Sequence, residues 1–249
     1  LMGRLKSSGF TTDFITVPIG EAAKSINEFS RIISQMIEMN CDRSTSILAL
    51  GGGVVGDVAG FAASTFMRGV DYYQIPTTLL AMVDSAIGGK TGINIAEGKN
   101  LVGAIYQPKA VFVDPTLLKS LPKEEVISGL GEIIKYGAIK DKEFFNEISN
   151  GLENIESFPF ENIIYRACEI KADIVTQDER EGSIRRILNF GHTIGHALEA
   201  YFGYGKLRHG EAVSYGMICA GWISNQLGHL SNNDYQRLKK TIEKLPLPM

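Results

Sequence analysis

A cluster of histidines constrains this chain more than any other feature. Three of its four histidines, His192, His196 and His209, lie close together, and the first two are four residues apart. On a helix, that spacing places both side chains on one face, about one turn from each other. His209 follows a short break and precedes an apolar run, so two successive helices can bring the three imidazoles together. A lone histidine is more simply a hydrogen-bonded polar residue, but this clustering predicts a metal site.

The predicted metal site needs a further ligand. The pattern is not that of a zinc protease, because Thr193 and not a glutamate follows His192. A catalytic zinc commonly has three protein ligands, one of them often a carboxylate, and an open position. Glu132 is the natural candidate, since glycines flank it in a predicted helix over 124–137. An ordinary i,i+3 surface ion pair with Lys135 is the alternative.

Composition excludes several classes of function. The chain has 249 residues, is 44% hydrophobic and 21% charged, and carries a formal net charge of −3, as an ordinary globular protein does. A chain with no basic surplus is not expected to bind nucleic acid. Three cysteines without CxxC spacing argue against a disulfide framework. With no apolar run of membrane-spanning length and no signal-peptide pattern, we expect no membrane partner and a cytoplasmic location.

A glycine-rich sequence over 51–57 follows a short apolar segment and precedes a helical pattern. In this order of strand, loop and helix, backbone N–H groups can approach a phosphate. Gly51, Gly53 and Gly56 satisfy G-x-G-x-x-G, but the acid expected to bind ribose, Asp71, comes before the next strand and not at its end. The loop is therefore a candidate pyrophosphate site, and a tight turn that needs glycine for packing is the alternative.

A second glycine-rich region contains Gly-Lys-Thr, but it is not a P-loop, because the upstream glycine of that motif would fall at Asp84. We expect flexible loops here that carry Lys90, Lys99 and Asn100. Such side chains suit an anionic ligand rich in oxygen. Solvated loop lysines are the alternative.

The pattern along the chain changes near 114–116. Strand-like apolar segments, including a short one over 14–18, alternate with helices before that point, and helices follow almost throughout. We therefore expect an α/β half over 1–115 and an α-helical half over 116–249. Lys135, Lys171 and Arg185 fall in the second half, and such a cationic site in a chain of net negative charge predicts a polyanionic ligand.

Six sequence motifs together resemble the 3-dehydroquinate synthase family of the sugar-phosphate cyclase superfamily. They are GGGVVGDVAGF, IPTTLLAMVDSAIGGKTGIN, GKNLVGAIYQP, GLGEIIKYG, DEREG and NFGHTIGHALEA with HGEAV, in that order. The resemblance implies a Rossmann-like NAD-binding α/β domain over 1–115, followed by an α-helical metal- and substrate-binding domain over 116–249. It also implies that the first lacks its N-terminal part and the second its C-terminal part.

The resemblance implies specific site residues. One zinc or cobalt ion would be bound by Glu132, His192 and His209, with His196 left to the substrate phosphate. Substrate contacts would come from Asp84, Lys90, Asn100, Lys135, Lys171, Arg185 and Asn189, and, across a homodimer, from Arg68. NAD would be held by Glu21, Lys24, Gly52, Gly53, Val54, Asp57, Thr77, Thr78, Leu80, Lys99 and Glu125.

The implied reaction converts a sugar phosphate, 3-deoxy-D-arabino-heptulosonate 7-phosphate, to 3-dehydroquinate and phosphate in the shikimate pathway. It proceeds by transient oxidation with NAD, β-elimination of phosphate, re-reduction and intramolecular aldol closure.

Three alternatives remain. Another sugar-phosphate cyclase, of the 2-deoxy-scyllo-inosose or valiolone type, would act on a substrate without a carboxylate. A metal-dependent polyol dehydrogenase would release NADH, and a non-catalytic remnant would bind metal and nucleotide without turnover. Arg185, Lys171 and Lys90 can form a cationic cradle for a carboxylate, which favours the dehydroquinate interpretation.

Overall fold

The computed structural model describes residues 1–203 and 206–248, and its chain divides into two compact units. The first unit comprises Leu1–Ile75 and Gly89–Val111, and the second comprises Pro76–Gly88 and Phe112–Met249. The first combines strands with helices, whereas the second is helical. None of the described helices is both long and apolar enough to cross a membrane.

The first unit is built on two small sheets. Its elements are α1 (Met2–Ser7), α2 (Ile26–Glu38), β1 (Ile47–Gly51), α3 (Gly53–Thr65), β2 (Tyr72–Pro76), β3 (Lys90–Ile95), β4 (Gly98–Ile105) and β5 (Ala110–Val111). One sheet has the order β1-β2-β5, and β2 pairs with β5 in parallel, with Tyr73 opposite Ala110. In the other sheet, β3 and β4 form an antiparallel hairpin.

Helices α2 and α3 form the core of the first unit. Ser25 caps α2 by accepting a hydrogen bond from the backbone N–H of Glu28. On the buried side of α2, Ile32 and Met36 join a cluster that includes Val58 and Phe61 of α3. This contact anchors α3, and with it the glycine-rich turn at its start.

Two expectations for this unit were wrong. Residues 14–18 form no strand; they are an irregular segment whose Ile15 and Val17 pack against the core. Lys90, Lys99 and Asn100 do not lie on flexible loops but in the strands of the β3–β4 hairpin.

The glycines that suggested a loop allow the two strands of this hairpin to approach closely. A β-carbon on Gly92 would lie 2.6 Å from the carbonyl oxygen of Val102 on the opposite strand. Gly92 itself pairs with Gly103 across the hairpin. Glycine is thus required here for strand pairing, which is one of its positional uses within sheets.

The second unit contains six α-helices in its described residues. They are α4 (Lys123–Lys140), α5 (Lys142–Gly151), α6 (Phe160–Gln177), α7 (His192–Phe202), α8 (His209–Gln226) and α9 (Asn232–Ile242). Shorter turns lie at Pro115–Ser120, Ile155–Ser157 and Ile184–Asn189. Helix α4 is central, since eleven of its residues, 127–137, are buried.

The segment Pro76–Gly88, which the sequence assigned to the α/β half, belongs to the helical unit. Its central residues Ala81–Ser85 form one turn of π-helix. Leu79, Met82 and Val83 are completely buried in the apolar core of the helical unit. A single predicted boundary near 114–116 could not show this. The hydrophobic pattern indicates the secondary structure of a segment but not the unit against which it packs.

Candidate metal centre and nucleotide-binding loop

Three helices of the second unit bring one carboxylate and two imidazoles to one point. Glu132 on α4 is completely buried, while His192 and His209 are the first residues of α7 and α8. The Nε2 atoms of the two histidines lie 3.6 and 3.5 Å from Oε1 of Glu132. Within the described residues, three potential ligand atoms from this set all lie within 4.8 Å of one another.

Local contacts place the start of α8 beside α4. The backbone N–H of Arg208 donates to the Glu211 carboxylate at 2.8 Å, which closes the first turn of α8. The Arg208 side chain pairs with Glu125 of α4 at 2.9 Å. Two residues after Arg208, the backbone N–H of Gly210 donates to Ser128 Oγ. These contacts hold His209 close to Glu132.

The start of α7 depends on Gly191, which has φ of +81°. This left-handed conformation favours glycine. A β-carbon on Gly191 would also lie 2.7 Å from the carbonyl oxygen of Val213 on α8. Gly191 therefore permits both the turn and the close approach that brings His192 next to His209.

Both His192 and His209 have an acceptor at the ring nitrogen that faces away from Glu132. Nδ1 of His192 lies 3.3 Å from the carbonyl oxygen of Phe190, and Nδ1 of His209 lies 3.2 Å from Oε2 of Glu199. Carbonyl and carboxylate oxygens only accept hydrogen bonds, so Nδ1 carries a proton in both rings. In the neutral rings the lone pair is then on Nε2, the atom that faces Glu132.

The donor set fits a divalent metal. Both carboxylate oxygens of Glu132 are buried, and neither accepts a hydrogen bond of regular geometry from the described residues, although Lys135 forms an ion pair with Oε2. Buried acceptors normally find a donor or a cation. Two ligands at about 2.1 Å from a zinc ion in tetrahedral geometry lie about 3.4 Å apart, close to the spacing found here.

The pKa values describe the protonation of this cluster. Burial lowers the pKa of His192 to about 4, so its ring is neutral at pH 7. Burial raises the pKa of Glu132, but the ammonium group of Lys135 together with the contacts to His209 and His192 lowers it to about 2. Burial lowers the pKa of His209, but its contacts with Glu132 and Glu199 raise it to about 10. A metal at this point would therefore displace a proton from His209 at neutral pH.

A second buried ion pair lies beside the first. Lys171 on α6 donates to the Asp84 carboxylate at 2.6 Å, and the Tyr136 hydroxyl reaches the same oxygen at 2.8 Å. Burial raises the pKa of Asp84, but Lys171 and then Lys135 outweigh it and hold the pKa well below its usual range. Burial lowers the pKa of Lys171 despite its pairing with Asp84. The two ion pairs form one electrostatically connected cluster.

Two other residues predicted to bind substrate form hydrogen bonds with other residues of the chain. Arg185 is buried and donates to the carbonyl oxygens of Glu179 and Gly88. These bonds use two of its five N–H donors. Asn189 donates to Glu181 at 2.6 Å. Both residues lie in or next to the turn that leads into α7, so they are placed by the same segment as His192.

The third histidine of the cluster also converges with the other two. The ring centroid of His196 lies 5.4 Å from that of His192 and 5.7 Å from that of His209. His196, Glu199 and His209 form a second group whose ligand atoms lie within 4.8 Å of one another. The sequence interpretation gave Glu199 no role, although it follows His192 by seven residues and so shares its helix face.

The glycine-rich turn in the first unit joins β1 to α3. Gly52 is the N-cap of α3, and no side chain among the described residues caps this helix, so the first backbone N–H groups are available to a ligand such as a phosphate. Gly51 and Gly56 serve packing, because β-carbons there would lie 2.6 Å from Val55 Cγ2 and 2.5 Å from Gln74 Oε1. Packing thus accounts for Gly51 and Gly56, and phosphate binding stays a prediction for Gly52 and Gly53.

Near this turn, Lys24 joins two other predicted ligand-binding residues. Lys24 is 3% exposed and donates to Asp57 on α3 at 2.6 Å and to Asn100 on β4. Asn100 has φ of +56°. The sequence implied that Asn100 contacts substrate and the other two contact NAD; the structure joins them in one polar cluster.

The remaining predicted residues are distributed over both units. In the first unit, Glu21 accepts from Asn94 at 2.8 Å, Lys90 and Arg68 are exposed, Lys99 is half-buried, and Gly53 and Val54 begin α3. In the second unit are Thr77, Thr78 and Leu80, of which Thr78 accepts a hydrogen bond from the backbone of Ala81.

Comparison with known proteins identifies this combination of fold and site. The sequence matches the 3-dehydroquinate synthase N-terminal family over residues 14–128 and the 3-dehydroquinate synthase C-terminal family over 129–249. A 3-dehydroquinate synthase from Crocosphaera subtropica is 45% identical over 254 aligned positions, which cover 100% of this chain and 70% of that protein.

Two solved structures share the fold closely. A 2-epi-5-epi-valiolone synthase from Streptomyces hygroscopicus, with NAD⁺ and Zn²⁺ bound, has a TM-score of 0.87 and 31% identity, covering 93% of this chain and 66% of its own. A 2-deoxy-scyllo-inosose synthase, complexed with carbaglucose-6-phosphate, NAD⁺ and Co²⁺, has a TM-score of 0.85 and 33% identity, covering 93% of this chain and 65% of its own. The chain thus spans about two thirds of these two structures.

These neighbours define the class of the fold, that of the sugar-phosphate cyclases. Within this class, the chain belongs to the 3-dehydroquinate synthase family. The family, fold class and enzyme class predicted from the sequence are confirmed.

Proposed function

We propose that this chain converts 3-deoxy-D-arabino-heptulosonate 7-phosphate to 3-dehydroquinate and phosphate. The observation that carries the proposal is the convergence of Glu132, His192 and His209 next to two buried lysines, in a chain 45% identical to a 3-dehydroquinate synthase. The structural relatives bind NAD⁺ with Zn²⁺ or Co²⁺, and we assign the same two cofactors to this chain.

The chain's own residues would hold both cofactors. The buried carboxylate of Glu132 and the Nε2 atoms of His192 and His209 would bind zinc or cobalt, and the backbone at Gly52 and Gly53 would receive the pyrophosphate of NAD. When bound, the metal supplies Lewis acidity towards a hydroxyl oxygen, and NAD supplies reversible hydride transfer.

The protein's remaining contribution is charge and orientation. Lys135, Lys171 and Arg185 are buried cations, and Lys171 pairs with Asp84, whose side chain is 25% exposed. Three cations close to the proposed metal ligands suit a substrate with both a phosphate and a carboxylate. Buried donors of this kind are already oriented when the substrate arrives, so they stabilise developing negative charge without reorganisation. The substrate phosphate can act as its own base, so no separate protein base is needed.

The choice among sugar-phosphate cyclases depends on the carboxylate. Substrates of the inosose and valiolone type lack this group. Arg185 and Lys171 of the helical unit are the residues we assign to it. The 45% identity to a dehydroquinate synthase, against 31–33% to the two other cyclases, supports this assignment.

The proposal includes a cytoplasmic homodimer. Arg68 is exposed, and we propose that it reaches the substrate phosphate bound by the other subunit. Analytical ultracentrifugation tests the dimer. Mixing inactive Arg68→Ala protein with inactive Glu132→Gln protein should restore activity in part if Arg68 acts across subunits.

The experiment that tests the proposed reaction is release of phosphate with catalytic amounts of NAD and with Zn²⁺. The heptulosonate phosphate should release phosphate without accumulation of NADH, whereas glucose 6-phosphate and sedoheptulose 7-phosphate should not react. Net NADH formation would show a dehydrogenase instead. Binding of NAD and metal without turnover of any substrate would show a non-catalytic protein.

A further inference from the structure

Glu199 lies at the metal centre without a role in the function proposed above. It is on α7, seven residues after His192, so both side chains project from the same face of the helix. Its side chain is only 13% exposed, and Oε2 lies 3.2 Å from Nδ1 of His209 on the neighbouring helix α8. One carboxylate thus reaches from the helix of one ligand histidine to the ring of the other.

This contact determines which nitrogen of His209 faces the metal centre. An ionised carboxylate only accepts hydrogen bonds, so the Nδ1 atom of His209 must donate and therefore carries the proton. Nε2, on the other side of the ring, lies 3.5 Å from Oε1 of Glu132. With Nδ1 protonated, the neutral ring presents its lone pair on Nε2 to the same point as His192 and Glu132.

His192 shows the same arrangement with a different acceptor. Its Nδ1 faces the carbonyl oxygen of Phe190 at 3.3 Å, so the main chain orients that ring. His209 lies at the first position of α8, and a side-chain carboxylate from α7 orients its ring instead. The two ligands therefore depend on different partners, one neutral and part of the backbone, the other charged and open to substitution.

We propose that Glu199 is a positioning residue of the metal centre, which holds His209 with Nδ1 protonated and directs Nε2 towards the ion. This inference rests on the metal centre proposed above. Carboxylates behind a ligand histidine fix the ring and raise its basicity, and their loss typically costs about 10–100-fold in metal affinity. Glu199 affects the substrate only through His209.

Three variants test this role by competition titration of Zn²⁺ against a chelator. Glu199→Leu keeps much of the side chain's bulk but cannot accept, and should raise the Zn²⁺ dissociation constant about 10–100-fold. Glu199→Gln retains an uncharged acceptor and should lose roughly tenfold, at the lower end of that range. Glu161→Gln removes the same charge from an exposed position on α6 and should leave the affinity unchanged.

The outcomes separate this inference from the proposed function. No Zn²⁺ binding by the wild type would overturn the metal centre and the inference with it. Binding by the wild type with equal affinity in Glu199→Leu would overturn the inference alone. Two ions per wild-type chain, one of them lost with Glu199, would instead make Glu199 a ligand in a second site with His196. If Glu199→Leu does not fold, Glu199→Gln decides: roughly tenfold weaker binding supports the role and wild-type affinity overturns it.

A spectroscopic measurement follows the ring itself. In Zn²⁺-loaded protein with ¹⁵N-labelled histidine, long-range ¹H–¹⁵N correlations should place a proton on Nδ1 of both His192 and His209. In Glu199→Leu, the Nδ1 proton of His209 should exchange with water and disappear, while that of His192, bonded to Phe190, persists as an internal control. An unchanged His209 signal would overturn the proposal.

Discussion

Gly131 on α4 and Gly210 on α8 are in such close contact that a β-carbon on Gly131 would overlap the carbonyl oxygen of Gly210. Glu132 follows the first glycine and His209 precedes the second. The contact therefore sets the distance between two proposed metal ligands. Because its atoms belong to the backbone, it cannot relax by rotation of a side chain.

Replacing Gly131 by alanine should separate α4 from α8. Alanine is favoured over glycine within a helix by about 1 kcal/mol, but overpacking a tight contact costs about 1–3 kcal/mol. The added methyl would also lie 2.7 Å from Ser214 Oγ. We expect lower stability in urea unfolding and weaker Zn²⁺ binding. In the control Gly3→Ala on α1, the methyl meets no atom within 4 Å and should cause neither effect. A gain in stability for Gly131→Ala would show that the contact is not tight.

The ion pair between Asp84 and Lys171 should make stability depend on pH. Replacing Lys171 by methionine leaves a buried carboxylate without its partner, which costs about 3–5 kcal/mol. In the wild type the folded-state pKa of Asp84 is lowered, so its contribution is present above the unfolded value and is lost as pH falls towards the folded one. Without Lys171, burial raises the pKa of Asp84. As pH falls, Asp84 is therefore protonated at a higher pH in the variant than in the wild type, and protonation removes the cost of its unpaired charge.

The difference in unfolding free energy between wild type and Lys171→Met should therefore be large at pH 7 and smaller at pH 4. Urea unfolding at both values measures it. Lys140→Met is the control, because the pair of Lys140 with Asp173 is exposed and should contribute less than about 1 kcal/mol at either pH. A difference that does not change with pH would contradict the role assigned to Asp84.

Gly53→Val should weaken NAD binding without unfolding the protein. Gly53 is the first residue of α3, where the first backbone N–H groups of the helix receive no cap from any side chain in residues 1–203 and 206–248. A branched side chain there would obstruct a pyrophosphate approaching these groups. Calorimetric titration with NAD measures the dissociation constant, and urea unfolding checks the fold. Unchanged NAD affinity would show that the glycine-rich turn has only a structural role.

Arg185→Lys should distinguish substrate binding from a purely structural role. Lysine keeps the charge but loses the planar group that bonds to the carbonyls of Glu179 and Gly88 and can also hold a carboxylate. A charge-assisted contact contributes about 1.5–3 kcal/mol, so kcat/KM on the natural substrate should fall roughly ten- to a hundredfold. The loss should be much smaller on an analogue without the carboxylate. Equal losses would mean that Arg185 only supports its loop.

The local features that were predicted correctly depend on short-range pattern. The helix carrying Glu132 and the helix carrying His192 and His196 follow from apolar spacing, and β1 follows from a short apolar segment before glycines. The convergence of the histidines was also predictable, since i,i+4 spacing and one turn restrict where the rings can lie.

What the sequence did not predict depends on contacts between distant residues. The β3–β4 hairpin was missed because its glycines, which serve close strand pairing, resemble loop glycines. The buried state of Lys24 depends on Asp57 and Asn100, which are far from it in sequence. That Glu199 shares a helix face with His192 could have been predicted, because the two are seven residues apart. Its contact with His209 could not, because His209 lies on another helix.

The most direct measurement is the stoichiometry and affinity of Zn²⁺ for the chelator-treated protein, compared with Glu132→Gln and His196→Gln. Glu132 and His196 belong to the two different groups that share His209. We predict one ion per chain in the wild type, loss of that ion in Glu132→Gln, and wild-type affinity in His196→Gln. Full affinity in Glu132→Gln, or loss of the ion in His196→Gln alone, would contradict the metal centre described here.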